Sequence, residues 1–577
     1  MISKTTISAR TTIKRPLLVL VIGLSMAFTG VAGATDGTNV DENAASFSDY
    51  LSGRFASTHR DAPVAAEYLN KAVSVDPENT ELIRQAFSMS LISGQFDEAA
   101  ALAEKLVVIE DQHTSLVDLV LNADSLRRND GDQVLERLLV AKQEGIVNLI
   151  SPLSEAWVAA EKGNIAAAMA ALDSLNSDKS FQVFGAIHRA FIQDYLGQQE
   201  EAVKAYLHIL GELRGSDMQV VLAYGNLLER MGKKKAASLL YREYLENYSN
   251  NDLLRNAIKS ANSSAIPAPF IKTPAHGLAE AYFNTSRRLA SHRSQSPASI
   301  YLRLALMLRP DFPVAQLLLA NLLQRDRQWE NSLEQFEGLT DDPNLGWQAR
   351  FQSSVVMVQL NRGDEATATL RAMHEERPQD VNVLSALAGR MSDEERFKDA
   401  LSYYNEVINL VGKPKMRHWS LYFSRSIAEE QLGDWDAAEK DLRTALVLKP
   451  NEASVLNYLG YSWLQRGKHL NEALEMIEKA VEQRPNDGYV IDSLGWALYQ
   501  LKQYEEAIGW LEKAIMLQPE DPTINDHLGD AYWRQGLKLQ ANFQWQHALV
   551  MKPTEENAKR ILLKIKKGLP EKHVSER

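Results

Sequence analysis

The sequence predicts an all-α protein, a solenoid of about fourteen helix-turn-helix units arranged in two segments. A period of 34 residues in the carboxy-terminal half of the chain is the first observation behind this prediction. Small residues, bulky residues and prolines also recur together at fixed places within that period. The chain has 577 residues, which is too long for one compact core, whereas each unit of a solenoid packs only on its neighbours.

The period is clearest between Leu459 and Pro553, where the pair Leu-Gly occurs three times. Each copy is followed by two alanines and ends at a proline. Glycine and alanine are expected where two helices touch, because small side chains let the backbones approach, and proline ends the second helix. The three copies begin at Leu459-Gly460, Leu494-Gly495 and Leu528-Gly529, and they end at Pro485, Pro519 and Pro553.

These recurring positions resemble the tetratricopeptide repeat family. The resemblance implies a right-handed superhelix that binds other proteins, without naming the partner. The bulky residues Trp463, Leu498 and Tyr532 recur in step with the glycines, so they are expected in the core.

The amino terminus resembles a secretory signal. Four basic residues precede an apolar run from Leu17 to Phe28, and the small residues Ala32-Gly33-Ala34 follow it. This pattern predicts a signal peptide over residues 1–34 and a periplasmic protein, with an uncleaved inner-membrane anchor as the alternative. Residues 35–45 are small and polar, and they are predicted to form a disordered lead-in.

The remaining chain divides into four parts. Residues 46–248 follow the period with a degraded consensus and are predicted to form a first solenoid of six units. Residues 249–276 contain three prolines and predict a linker, with an extended segment crossing the groove as the alternative. Residues 277–553 predict a second solenoid of eight units. Residues 554–577 predict a capping helix with Ile561, Leu562 and Ile565 on one face, or alternatively a basic site for an acidic partner or lipid headgroups.

Composition excludes several classes of function. The formal charge is −12, or −16 without the four basic residues of 1–34, which disfavours nucleic acid as the main ligand. The absence of cysteine excludes disulfides, thiolate metal sites and a lipid-modified cysteine anchor. No catalytic motif is present, and His188 and His208 have no second histidine at ligand spacing. We therefore expect no catalytic residue, no cofactor, no metal site and no enzyme activity of its own.

Binding residues are instead predicted on the inner face of the last three units. Side chains spaced i, i+4 and i+7 share one face of a helix, and the face opposite the packing edge combines aromatic, amide and acidic residues. Aromatic residues at helical spacing also occur in cores, which is the alternative. The predicted groove consists of Asn457, Tyr461, Leu464, Asp492, Trp496, Tyr499, Asp526, Asp530 and Trp533.

This acidic and aromatic set predicts the chemistry of the partner. Aromatic side chains concentrate binding energy, asparagine can bond a peptide backbone, and aspartate pairs with lysine or arginine. Tetratricopeptide domains that clamp a carboxylate carry basic residues on this face, so a carboxylate clamp is not expected. A basic or apolar peptide segment fits better.

The second half, from Gly277 to Pro553, also resembles exported tetratricopeptide proteins common in proteobacteria, through motifs such as 525–530 (Asn-Asp-His-Leu-Gly-Asp). Some similar proteins are lipoprotein adaptors that hand substrates to a periplasmic processing protease, although this chain lacks the cysteine for a lipid. The leading hypothesis is a non-enzymatic exported scaffold that binds envelope proteins, with no nucleic acid partner. The alternatives are a component of polysaccharide or outer-membrane assembly machinery and a regulatory subunit of a periplasmic protease.

Overall fold

The computed structural model describes residues 37–110, 114–140, 147–213, 217–247, 252–291 and 295–570. These residues form thirty α-helices and two short 3₁₀ turns, and no strand occurs among them. Twenty-eight of the helices group into fourteen successive antiparallel pairs, six before residues 249–276 and eight after them. The all-α solenoid and the number of units predicted from the sequence are therefore confirmed.

The chain divides into two compact units, one ending at Thr369 and the other beginning at Leu370. The boundary between the two compact units lies within α19, about three helix pairs after the predicted linker. The helices that begin in the first unit are α1 Gly37–Thr58, α2 Ala62–Val75, α3 Thr80–Ser93, α4 Phe96–Glu110, α5 Ser115–Arg127, α6 Gly131–Val140, α7 Val147–Glu161, α8 Ile165–Asp173, α9 Lys179–Tyr195, α10 Gln199–Glu212, α11 Met218–Arg230, α12 Lys234–Asn247, α13 Asp252–Ala261, α14 Pro274–Ser291, α15 Gln295–Leu308, α16 Pro313–Arg325, α17 Trp329–Glu337, α18 Gly346–Gln359 and α19 Gly363–Glu376.

The second unit contains five helix pairs and a terminal helix. They are α20 Val381–Asp393, α21 Phe397–Val411, α22 Trp419–Gln431, α23 Trp435–Leu448, α24 Ala453–Gln465, α25 Leu470–Gln483, α26 Gly488–Gln500, α27 Tyr504–Leu517, α28 Pro522–Arg534, α29 Lys538–Val550 and α30 Glu555–Lys567.

Local sequence signals define the ends of these helices. Asp521 caps α28 by accepting hydrogen bonds from two backbone N–H groups, and Pro522 occupies the first turn, where its missing N–H is not needed. Gly536 has a φ of 87° in the turn from α28 to α29, a conformation that glycine adopts without strain. The recurrence of these signals explains why the chain breaks into helices of similar length.

Small residues bring the two helices of a pair into close contact. A Cβ atom added to Gly529 on α28 would lie 2.5 Å from the indole ring of Trp545 on α29. Gly495 has the same relation to Leu511 in the preceding pair, where the distance is 2.6 Å. Trp463 is fully buried and Leu498 is 5% exposed, which confirms their predicted place in the core, whereas Tyr532 is only partly buried.

The first unit is filled by a hairpin of its own chain. Helices α14 and α15 pack against α3, α5, α7 and α9, which are the first helices of successive pairs. Gly277 on α14 lies so close to Trp157 on α7 that a Cβ atom there would be 2.2 Å from the ring. Glu280 on α14 is fully buried and accepts hydrogen bonds from Gln219 on α11 and from Arg309. The inner face of the first solenoid is therefore occupied.

The proline-rich segment leads the chain into this hairpin. Residues 252–261, predicted as part of a linker, form α13, because the prolines begin only at 267. The following extended residues pack on the first solenoid: Phe270 contacts the ring of Phe191, and Asn226 donates a hydrogen bond to the carbonyl of Ala268. Residues 249–276 thus join two series of helices within one compact unit instead of separating two domains.

The ends of the chain differ in part from the sequence predictions. Helix α1 begins at Gly37 and so includes most of the predicted disordered lead-in, which contains no proline to stop a helix. The predicted signal peptide of residues 1–34 lies outside the described residues. At the other end, α30 buries Ile561 and partly buries Ile565, but Leu562 is 55% exposed. Across the part of the chain with described coordinates, no helix has the length and apolar character to span a membrane.

Gly529→Ala tests the close packing of the helix pairs. The added methyl group would press on the rigid Trp545 ring, and overpacking of this kind destabilises a fold by about 1–3 kcal/mol. The matched control is Gly509→Ala on α27, where nothing lies within 4 Å of the added atom. In urea unfolding followed by tryptophan fluorescence, Gly509→Ala should instead stabilise the chain by up to about 1 kcal/mol. Equal effects of the two substitutions would contradict the packing described here.

Candidate functional site

The candidate site lies on the first helices of the last pairs of the second unit. Helices α24, α26 and α28 stand side by side, and they carry the nine residues predicted to line a groove. Leu464, Asp492, Asp526 and Asp530 are buried, whereas Asn457, Tyr461, Trp496, Tyr499 and Trp533 are partly buried. The predicted residues therefore come together on neighbouring helices, but four of the nine are enclosed by the protein itself.

Trp496 is at the centre of an aromatic stack. Its ring lies 3.9 Å from the ring of His527 on α28 and 4.7 Å from that of Tyr499, with interplanar angles of 17° and 12°. Tyr499 in turn contacts Tyr504 at the start of α27. The stack holds the indole ring of Trp496 in one orientation and leaves part of it accessible.

Asp492 is bound to His527. The Nδ1 atom of the histidine lies 2.9 Å from one carboxylate oxygen of Asp492 and 3.1 Å from the other. Burial by itself lowers the pKa of His527, but the charges of Asp492, Asp526 and Asp530 outweigh that effect and raise the pKa above its ordinary value of 6.5. This pair therefore favours an imidazolium that bridges α26 and α28.

Two further carboxylates share one lysine. The ammonium group of Lys564 on α30 lies 2.7 Å from an oxygen of Asp526 and 2.7 Å from one of Asp530, and all three side chains are buried. Arg560 also donates a hydrogen bond to Asp526, and the indole N–H of Trp545 donates one to Asp530. Burial raises the pKa of Asp530, while the positive charge of Lys564 acts in the opposite direction.

The three aspartates of the acidic wall predicted from the sequence are thus paired within the chain. Asp492, Asp526 and Asp530 lie on the predicted face, but cationic groups of the same chain neutralise them. A buried carboxylate without a partner is strongly unfavourable, so the fold supplies one for each. The charge on this face is balanced, and these aspartates offer no free negative charge to a basic peptide.

Trp533 belongs to the carboxy-terminal core more than to a groove. Its ring lies 5.4 Å from that of Trp545, and Lys538 lies over it at 5.1 Å. Gly568, just after α30, approaches the ring so closely that a Cβ atom there would be 2.0 Å from it. Helix α30 and the residue that follows it thus cover the end of the predicted groove.

The face that stays open is polar but carries no excess charge. The Oδ1 atom of Asn457 and the Nε1 atom of Trp496 are both enclosed and have no hydrogen-bond partner. Burial and the nearby Asp492 raise the pKa of Tyr461, which keeps its hydroxyl group neutral. The aromatic surface continues on the preceding pair, where the ring of Phe423 on α22 lies 5.6 Å from that of Tyr458 on α24.

Sequence reasoning missed the cations and His527 as part of this face. Arg560 and Lys564 follow Asp526 and Asp530 by one 34-residue period, so they occupy the equivalent inner positions on α30. Comparison of equivalent positions in successive units would have placed opposite charges side by side. The sequence signal for His527 was weaker, because this residue lies one position after Asp526 and not at one of the spaced positions of the predicted face.

In the described ranges between 37 and 570, no group of three or more histidine, aspartate or glutamate side chains is placed so that it could hold a metal ion. His188 is fully buried in the first unit and accepts a hydrogen bond from the indole of Trp157. Burial lowers its pKa to about 3, so this histidine is a neutral part of the core.

Comparison with known proteins identifies the repeats. A family model described as TPR repeat matches residues 495–536, and one described as tetratricopeptide repeat matches residues 423–488. The chain therefore contains tetratricopeptide repeats, as the sequence predicted. Both matches lie within the second unit, where the consensus positions are best kept.

A curated relative extends this result. A TPR repeat-containing protein of Pseudomonas aeruginosa is 29% identical to the chain over 160 residues, which are 26% of the chain. The match spans about a quarter of the length of that relative, 25%.

Solved structures with similar folds include a tetratricopeptide repeat protein from Parabacteroides merdae, 15% identical, which covers 49% of this chain and 97% of its own with a TM-score of 0.32. The Cut9–Hcn1 hetero-tetramer of the APC/C contains a chain that is also 15% identical, with coverages of 93% and 99% and a TM-score of 0.39. YrrB, a TPR protein with an unusual peptide-binding site, is 18% identical, with coverages of 33% and 97% and a TM-score of 0.27. At these values the likeness concerns the repeat fold alone.

Lys564→Met is expected to destabilise the second unit by about 3–5 kcal/mol, because it leaves Asp526 and Asp530 buried without their shared cation. The control is Lys559→Met on the same helix, whose ammonium group is exposed and pairs only with Glu555; its effect should stay within about 0.5 kcal/mol. Thermal unfolding measures both. Adding Asp526→Asn and Asp530→Asn to Lys564→Met should restore part of the lost stability, and no difference between the two lysine variants would show that the buried network contributes nothing.

The raised pKa of His527 predicts a pH dependence of stability. A folded-state pKa above the unfolded value stabilises the fold at pH below about 6.5, and this contribution is lost as the pH rises through the folded-state pKa. The melting temperature should therefore fall across the pH range just above 6.5. His527→Gln should remove this dependence, whereas His208→Gln, at an exposed site on α10, should preserve it. An NMR titration in which Asp492→Asn fails to lower the pKa of His527 would contradict the assignment.

Proposed function

We propose that this chain is a non-catalytic scaffold that binds extended segments of other proteins along the inner face of its second unit. Tetratricopeptide repeats form protein–protein interaction scaffolds, and the family is generally non-catalytic. The finer assignment, to one face of one unit, is our inference from the contacts within the chain. A non-catalytic scaffold also accounts for the absence of catalytic motifs from the sequence.

The observation that carries the proposal is the pair of enclosed polar atoms without partners on this face. Asn457 offers an unused acceptor, Oδ1, and Trp496 offers an unused donor, the indole N–H. A buried polar group without a partner is unfavourable and calls for an explanation. The main chain of an extended segment has both donors and acceptors, so such a segment could satisfy the two atoms once the side chains move to expose them.

The rest of the chain favours the second unit over the first. The inner helices of the first unit contact the hairpin α14–α15, so that surface is already in use. In the second unit, Tyr461, Tyr499 and Phe423 remain partly exposed on the inner face. Aromatic residues of this kind are the side chains most often found at binding hot spots.

Charge balance in the groove defines the class of partner. Because Asp492, Asp526 and Asp530 are paired with His527, Arg560 and Lys564, a lysine-rich or arginine-rich peptide gains little there. We therefore propose a segment with apolar or aromatic side chains and few charges. This replaces the basic partner that the sequence favoured and keeps the apolar one.

The proposed place of action is the bacterial envelope. The support comes from the sequence of residues 1–34, with its basic start, apolar run and small-residue cleavage pattern. The partners would accordingly be exported or envelope proteins. Fractionation of cells that express the full chain tests this part by itself: recovery in the cytoplasmic fraction with residues 1–34 retained would contradict it.

Affinity capture from an envelope extract tests the binding face. The double variant Asn457→Ala/Trp496→Ala should lose proteins that the unchanged chain retains, with affinity reduced at least roughly tenfold, as expected when a buried aromatic anchor is removed. The matched control is Phe543→Ala on the outer face of α29, where the ring is 64% exposed. Circular dichroism melting must show that both variants fold. Equal capture by all three proteins would contradict the site, and capture lost equally in both variants would contradict its location on the inner face.

A further inference from the structure

Helix α1 presents an apolar stripe to solvent. Phe47, Leu51 and Phe55 are 62%, 50% and 68% exposed, and they are spaced four residues apart on one face of the helix. The opposite face of α1 packs on α2, where Gly53 lies against Leu69. The exposed stripe is therefore additional to the packing that holds α1 in the solenoid.

The stripe borders a groove between α1 and α2. The groove has a volume of about 600 Å³, and its walls include Leu51, Phe55, Val64 and Tyr68. Val64 is itself 38% exposed. Single exposed apolar residues are common on protein surfaces, but a continuous patch with an adjacent groove marks an interaction site.

We propose that this surface, defined by Phe47, Leu51 and Phe55, joins two copies of the chain in a symmetric dimer. Leu51 lies midway between the two phenylalanines, four residues from each, so reversing the direction of the helix places the stripe on itself. A two-fold axis needs this kind of self-complementary surface, because residue i of one copy must meet residue j of the other and the reverse. Leu51 then meets its own equivalent, and each Phe47 reaches the groove beside the partner's Phe55.

The area of the surface suits a modest dimer. The three stripe residues expose on the order of 300 Å² of apolar surface per chain, judged from the area of aromatic side chains. Together with Val64, Tyr68 and the polar rim, two copies would bury on the order of 1,000 Å², near the lower limit for a specific interface. We therefore expect a dimer that dissociates on dilution.

The mass of the full chain in solution, measured by light scattering over a range of concentrations, tests the proposal. The unchanged chain should approach twice its monomer mass of 64.6 kDa as the concentration rises. Leu51→Glu should stay monomeric, because it places two carboxylates on the axis. The matched control is Leu562→Glu on α30, where the leucine is also about half exposed, at 55%, and this variant should dimerise like the unchanged chain.

Introduced thiols test the position of the axis. The chain has no cysteine, so Leu51→Cys would carry a single thiol. Because a residue on a two-fold axis meets its own copy, mild oxidation should convert Leu51→Cys into a disulfide-linked dimer. Val447→Cys, at a site 79% exposed on α23, should remain unlinked under the same conditions.

Three results would overturn the proposal. The first is a chain that stays monomeric at every concentration. The second is a dimer that Leu51→Glu leaves intact, with its fold confirmed by circular dichroism. The third is a Leu51→Cys thiol that a maleimide cannot reach in a monomer, which would indicate that residues preceding α1 cover the stripe.

Discussion

The close approach of the two helices in each pair is the constraint on which the rest of the structure depends. At Gly529 the backbone of α28 comes so near the indole of Trp545 that no side chain fits between them. The same indole donates a hydrogen bond to Asp530, which in turn binds Lys564 on α30. One packing contact thus fixes the position of a carboxylate, and the carboxylate fixes the terminal helix. The positions of these inner-face side chains are therefore a consequence of packing between helices.

The sequence was sufficient to predict the features that recur in every repeat. It was insufficient to predict the contacts between residues of different repeats. Fourteen pairs and the buried Trp463 follow from the period, because each depends on residues within one unit. The face shared by Trp496 and Asp492 was also predictable from helical spacing. The surroundings of these two residues were not predictable, since His527 and Lys564 lie on the helices that follow. A carboxylate on a single helix gives the same sequence pattern whether it faces solvent or a lysine. The docking of α14 and of the extended residues before it was not predictable for the same reason, because they pack on helices far away in the sequence.

The two units use the same repeat in different ways. In the first, the inner helices surround a hairpin, and polar groups such as Glu280 are satisfied by neighbours from other helices. In the second, the inner face stays open and its charges are balanced locally. Repetition therefore provides the scaffold, and the residues at inner positions determine whether a groove holds the chain itself or is left for a partner.

The hairpin of the first unit also bears on how the chain folds. Arrays of repeats fold through local contacts, since each unit meets only its neighbours. Here Arg60, in the turn after α1, donates a hydrogen bond to the carbonyl of Asp326, 266 residues later, and α14 must dock before Trp157 is fully covered. Contacts that distant slow folding, because a long loop must close before they form. The first unit should accordingly behave as one cooperative domain, whose apolar interior stays uncovered until more than three hundred residues of the chain are available.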